Sequence, residues 1–108
     1  MKIFLVALLA LGVNTCKQPL PDCISKKIEE IKSQPVWNPP AQVDEYELNG
    51  KRVFLFSSPC CDQYNVVYDE HCNAICAPSG GITGKGDLKC ADFAQQAKHI
   101  RLVWKDER

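Results

Sequence analysis

The stretch QVDEYELNGKRVFLFSS, residues 42–58, decides the fold. Asn49-Gly50 separates two strand-forming runs, and this dipeptide suits a two-residue type I′ turn because both residues tolerate positive φ. So short a turn fixes the register. Leu48 falls opposite Lys51, Glu47 opposite Arg52, Glu45 opposite Phe54 and Val43 opposite Phe56, with Tyr46 opposite Val53 on the other side of the ribbon. Both faces of the hairpin are therefore partly apolar, and each calls for cover.

Upstream, PVWNPP (residues 35–40) excludes a helix or a central strand, since each proline removes a backbone donor and restricts its predecessor. It reads as an extended connector, with Trp37 as a lid at the core edge. Before it, Ile24, Ile28 and Ile31 recur at helical spacing behind Asp22, which is placed to cap the helix, and Pro35 marks the stop. Lys26, Lys27, Glu29 and Glu30 supply the solvated face.

Downstream, YNVVYD and NAICAP read as two further strands around the turn-prone residues 69–73. A short helix is predicted over residues 92–98. IRLVW (residues 100–104) then alternates Ile100, Leu102 and Trp104 on one side as a closing strand. The fold expected is a single small α+β domain: an antiparallel meander of four or five strands, one packed N-terminal helix and a short C-terminal helix, stapled by disulfides.

Lys2 followed by the apolar run from Ile3 to Val13 has the form of an export signal, too short for the roughly 20 residues that span a bilayer. Val13-Asn14-Thr15 fits the small-residue cleavage pattern of ordinary signal peptidases poorly, whereas the run ends just before Cys16, as at the start of a bacterial lipoprotein. Asn14 and Thr15 depart from the small residues usual there. The expected division is a signal peptide over 1–15, a lipidated tether over 16–21 and one domain over 22–108.

The chain has seven cysteines. Setting Cys16 aside for acylation leaves Cys23, Cys60, Cys61, Cys72, Cys76 and Cys90, which can pair completely, in 15 alternative ways. The charge is balanced, 13 basic against 13 acidic residues. It provides no basic footprint for nucleic acid and favours neither acidic nor membrane-surface partners.

GGITGKGD (residues 80–87) invites a phosphate-loop reading and fails it: Ser79 stands where that motif needs glycine, and Gly86 where it needs Ser or Thr. The loop is read as structural, its glycines serving backbone geometry and Asp87 accepting local N–H bonds. As a weak ligand loop it offers Asp62, Lys85 and Asp87, with calcium as the candidate ion and Asp69 as a further oxygen donor. Cys60 and Cys61, with His71, Cys72 and Cys76, lack the paired short spacings of zinc sites. Adjacent cysteines on a strand point to opposite faces, so they are read as staples to different parts of the chain rather than as a redox pair. His71 and His99 are the available bases, and no activated nucleophile or acid/base pair stands out. No catalysis, cofactor or metal is expected.

The segment of residues 43–93 carries Tyr-x-x-Asn-Gly at the hairpin, Cys-Cys-Asp-Gln at residues 60–63, and Tyr68-Asp69. Cys-x-Pro-x-Gly-Gly-x-Thr-Gly-x-Gly-Asp follows at residues 76–87 and Cys-x-Asp-Phe at 90–93. It resembles a family of small, uncharacterised bacterial lipoproteins and secreted domains of unknown function. The resemblance implies an exported, disulfide-stapled domain and brings no activity with it. The role expected is that of a monomeric binding or structural module, lipid-anchored in the cell envelope, with an unknown protein partner. A small protease inhibitor presenting Ile82 to Lys85 and a calcium-binding domain are the alternatives.

Overall fold

Asn49 and Gly50 both take positive φ, 53° and 80°, so the turn has the backbone that the dipeptide favours. The computed structural model describes residues 18–60 and 62–108. In it β1 (Gln42–Leu48) and β2 (Lys51–Phe56) pair antiparallel in the expected register, from Val43 opposite Phe56 to Leu48 opposite Lys51. β3 (Tyr64–Tyr68) and β4 (Ala74–Gly80) continue the meander. A single helical turn, α2 (Phe93–Gln96), precedes β5 (Lys98–Lys105), which pairs with β1 instead of β4. The five-stranded order is β4-β3-β2-β1-β5, so the last strand departs from a simple meander by crossing to the far edge.

Each face of the sheet has its own core. α1 (Asp22–Lys32) lays Ile24, Ile28 and Ile31 against Val43, Phe54 and Phe56. On the opposite face Val53, Val67, Cys76 and Phe93 cluster with Tyr46, Leu48 and Leu55. Burying each such side chain contributes roughly 1.5–3 kcal/mol. The hairpin thus has the cover on both faces that its pattern demands. Trp37 packs at the margin of the helix-side core.

Three expectations about local structure need correction. Asp22 does not cap α1: Pro21 is the N-cap residue, its carbonyl accepting from the Ile24 and Ser25 amides at 3.1 Å, and no side chain completes the cap. Asp22 stands instead in the first turn, where its charge opposes the helix dipole favourably. Nor do Ile100, Leu102 and Trp104 share a buried face. The register slips between Val43 and Asp44 and again between Glu45 and Tyr46, bypassing Val103 and Ile100 on β5. Each extra residue reverses which face the following side chains meet. Ile100 and Leu102 are consequently 44% and 50% exposed, while Val103 and Trp104 pack against the helix-side core. The predicted helix over 92–98 is likewise shorter, because Lys98 already belongs to β5.

Candidate functional site

The glycine-rich loop leaves β4 at Gly80 and folds back along that strand's outer edge. Gly86 N donates to the Gly80 carbonyl at 3.0 Å and Asp87 N to the Ala77 carbonyl at 2.9 Å, satisfying an edge that would otherwise be open. A Cβ on Gly86 would collide with the Ala77 carbonyl, so only glycine lets the loop lie this close. The Cys76–Cys90 disulfide closes the loop at its base, spanning 14 positions. Asp87 Oδ1 accepts from Lys89 N at 2.9 Å, and this backbone bond is the main cause holding its carboxyl below the usual aspartate range.

Asp62, Lys85 and Asp87 line one open cleft with Tyr64, Ile82 and Leu88. The structure therefore assembles the three weak ligand candidates beside an apolar tip. Ile82 is 89% exposed, Leu88 70% and Tyr64 49%. Asp69 is employed elsewhere: its Oδ1 accepts from His71 N at 2.8 Å and Asn73 N at 2.9 Å, closing the β3–β4 turn. Among the described residues no three metal-ligating side chains converge.

Cys72 is bonded to Cys23, joining the β3–β4 turn to α1, and Cys76 to Cys90. Neither Cys72 nor Cys76 therefore offers a thiolate to His71. Cys60 is disulfide-bonded as well. Cys16 and Cys61 lie outside the described residues, as do the signal segment and Lys17. Disulfides of this density fit an oxidising, extracellular environment. Among the described residues no helix is long and apolar enough to cross a membrane.

Sequence reasoning missed a second constellation. Glu45, only 5% exposed, lies between two arginines: Arg52 Nε donates to its Oε2 and Arg101 Nε to its Oε1, each at 2.9 Å. The same guanidinium groups hold the incoming chain, Arg52 Nη1 donating to the Pro19 carbonyl at 3.1 Å and Arg101 Nη2 to that of Gln18 at 3.0 Å. The signal was present as charge on β2, β1 and β5, but only the strand order makes the three into neighbours.

No curated protein and no solved structure matches the chain. A family model described as "Domain of unknown function (DUF6970)" matches residues 29–106, from the second half of α1 to the end of the sheet. This span takes in the Val53 core, the sheet side of the helix-side core, the Cys76–Cys90 loop and the Glu45 cluster, and the chain belongs to that family.

Proposed function

We propose that this chain is an exported, lipid-anchored protein of the bacterial cell envelope, and that its domain is a binding module whose glycine-loop face meets a protein partner. Support for export comes from the disulfides and the signal-like N-terminal run, and for acylation from the position of Cys16 and the odd cysteine count. One observation carries the binding reading. Ile82 and Leu88 stand 89% and 70% exposed on a loop held by a disulfide and by backbone bonds to β4. Large apolar side chains on a rigid loop cost little ordering entropy when a partner covers them.

The protease-inhibitor alternative is less well supported. An inhibitory loop presents its primary side chain on extended backbone, as a substrate would, whereas Lys85 sits between Gly84 and Gly86 at φ of 80° and 77°. The calcium alternative lacks ligands, since Asp87 is engaged with Lys89 N and no third carboxylate joins Asp62 and Asp87 in the cleft.

A photo-reactive residue at position 82, in cells making the full chain, tests the binding reading. The expected result is a discrete cross-linked adduct that is absent when the same residue replaces the exposed Glu29 on α1. Equal, diffuse labelling from both positions would overturn it. Intact-mass analysis of the mature chain tests the anchor separately: acylation at Cys16 is expected, and an unmodified terminus at or before Lys17 would refute it.

A further inference from the structure

The Glu45 cluster grips the chain at the place where the proposed anchor joins the domain. We infer that this clamp seats the tether and lays the adjoining end of the sheet, the β1–β2 turn together with the start of β5, against an anionic lipid surface. The inference rests on acylation at Cys16.

Reach is the first argument. The Gln18 carbonyl is fixed to Arg101 on β5 and the Pro19 carbonyl to Arg52 on β2. Cys16 precedes Gln18 by two residues, which span at most about 7 Å even when fully extended. An acyl chain on Cys16 leaves the clamped face no slack with which to stand away from the headgroups.

The chemistry of that face is the second argument. Ile100 borders the same cavity as Gln18, Arg52 and Arg101, and it is 44% exposed because the β5 bulge turns it out of the core. Leu102, paired with Asp44, is 50% exposed on the sheet's other face and takes no part in the clamp. Arg52 and Arg101 share the Glu45 carboxylate, which leaves the clamp with an excess of positive charge. Lys98 lies on the clamp's face, with Glu47 placed between Arg52 and Lys98 in register, while Lys51, opposite Leu48, adds a cation at the turn from the sheet's other face. An exposed apolar side chain beside cations at this end of the sheet suits an anionic bilayer, and a basic patch supplies the second attachment that one lipid chain needs for firm retention. The balanced charge of the whole chain conceals this local excess.

Charge also argues against a second copy as occupant. Two β5 edges would bring Lys98, Arg101 and Lys105 of one against those of the other.

The test uses the acylated full chain, reconstituted into phosphatidylglycerol-containing vesicles or held in detergent micelles, with lysine acetylation rates read residue by residue by mass spectrometry. Lys85, on the glycine loop beside Gly80 at the far end of β4, is exposed and serves as the internal reference. Lys51 and Lys98 are expected to react several-fold more slowly in vesicles than in detergent, and Lys85 at the same rate in both. Inserting a flexible Gly-Ser segment between Cys16 and Lys17, which leaves the clamp untouched, should return Lys51 and Lys98 toward the detergent rate. Equal rates at native spacing, protection that survives the insertion, or protection confined to native membranes and absent from pure lipid would each overturn the inference. The last would mean that a protein covers this edge. A chain without an acyl group would remove the anchor and this inference together, whereas an acylated chain with unprotected lysines would remove only the orientation.

Discussion

Cys23 in α1 and Cys72 in the β3–β4 turn are joined across a sequence separation of 49, so one bond ties the helix to the far end of the meander. In the chain-entropy view, closing a loop of that length disfavours the unfolded state by roughly 4 kcal/mol, against about 3 kcal/mol for the shorter Cys76–Cys90 loop. Replacing Cys23 and Cys72 together by alanine should therefore lower stability more than replacing Cys76 and Cys90. Urea unfolding of the two double variants measures the order, and the reverse ranking would show that strain or residual structure dominates.

The glycines of the loop are not equivalent, although Gly84 and Gly86 both have positive φ. A Cβ on Gly86 would strike the Ala77 carbonyl and crowd Pro78, whereas one on Gly84 meets nothing within 4 Å. Gly84→Ala should cost about 1 kcal/mol, the backbone preference alone. Gly86→Ala should cost clearly more, because the loop must lift from β4 and lose the bonds that cover its edge. Lys85→Ala, on an exposed side chain, should stay within about 0.5 kcal/mol of the parent. Thermal unfolding of the three variants checks the ranking, and equal effects at Gly84 and Gly86 would defeat the close-packing argument.

Local chemistry made the hairpin legible: Asn49-Gly50 admits a two-residue turn, and the turn dictates every pairing from Val43 to Phe56. Alternation served less well on β5. The bulges opposite β1 change parity twice, and an inserted residue has no signature in apolar periodicity. The Glu45 cluster was hidden for a different reason. Glu45 lies opposite Phe54 in register, yet its carboxylate is bonded diagonally to Arg52 and across the other strand boundary to Arg101. That arrangement requires β5 to lie beside β1, a crossover that no local pattern specifies. The glycine loop was read as a backbone device from composition alone, and the cleft it forms with Asp62 and Tyr64 depends on the fold.

Asp69 makes the β3–β4 turn sensitive to acid. Its carboxylate accepts the Asn73 and His71 amides, and the Asn73 backbone bond is the main cause holding it below the ordinary value of 3.8. A lowered carboxyl contributes stability that is complete above the unfolded-state value and disappears as pH falls through the lower, folded-state one. Asp87 and Asp106 are lowered as well, so all three contributions fade below about pH 4. Asp69→Asn should remove one of them. Its melting temperature should fall relative to the parent at neutral pH and converge toward it as pH falls below about 4, as thermal scans over that range would reveal. A constant offset at all pH values would assign the turn's stability to something other than the ionised carboxylate.

Removing the Glu45 carboxylate strands two guanidinium groups whose side chains are only 20% and 17% exposed, at Arg52 and Arg101. Breaking a buried ion pair from one side typically costs roughly 3–5 kcal/mol, and partial access to water places this cluster at the lower end. Glu45→Ala should therefore destabilise by about 3 kcal/mol. Replacing all three residues by Met or Leu should restore much of the loss, because no charge is then left uncompensated. The two kinds of variant separate stability from tethering. In the triple replacement the Gln18 and Pro19 carbonyls lose their donors while the core is kept, so limited proteolysis should cut near residues 18 and 19 in a domain that still unfolds cooperatively. Chemical denaturation and protease mapping of both variants give the answer. A Glu45→Ala chain within 0.5 kcal/mol of the parent, or a triple variant as protease-resistant as the parent at the tether, would show that the cluster neither stabilises the sheet nor holds the chain.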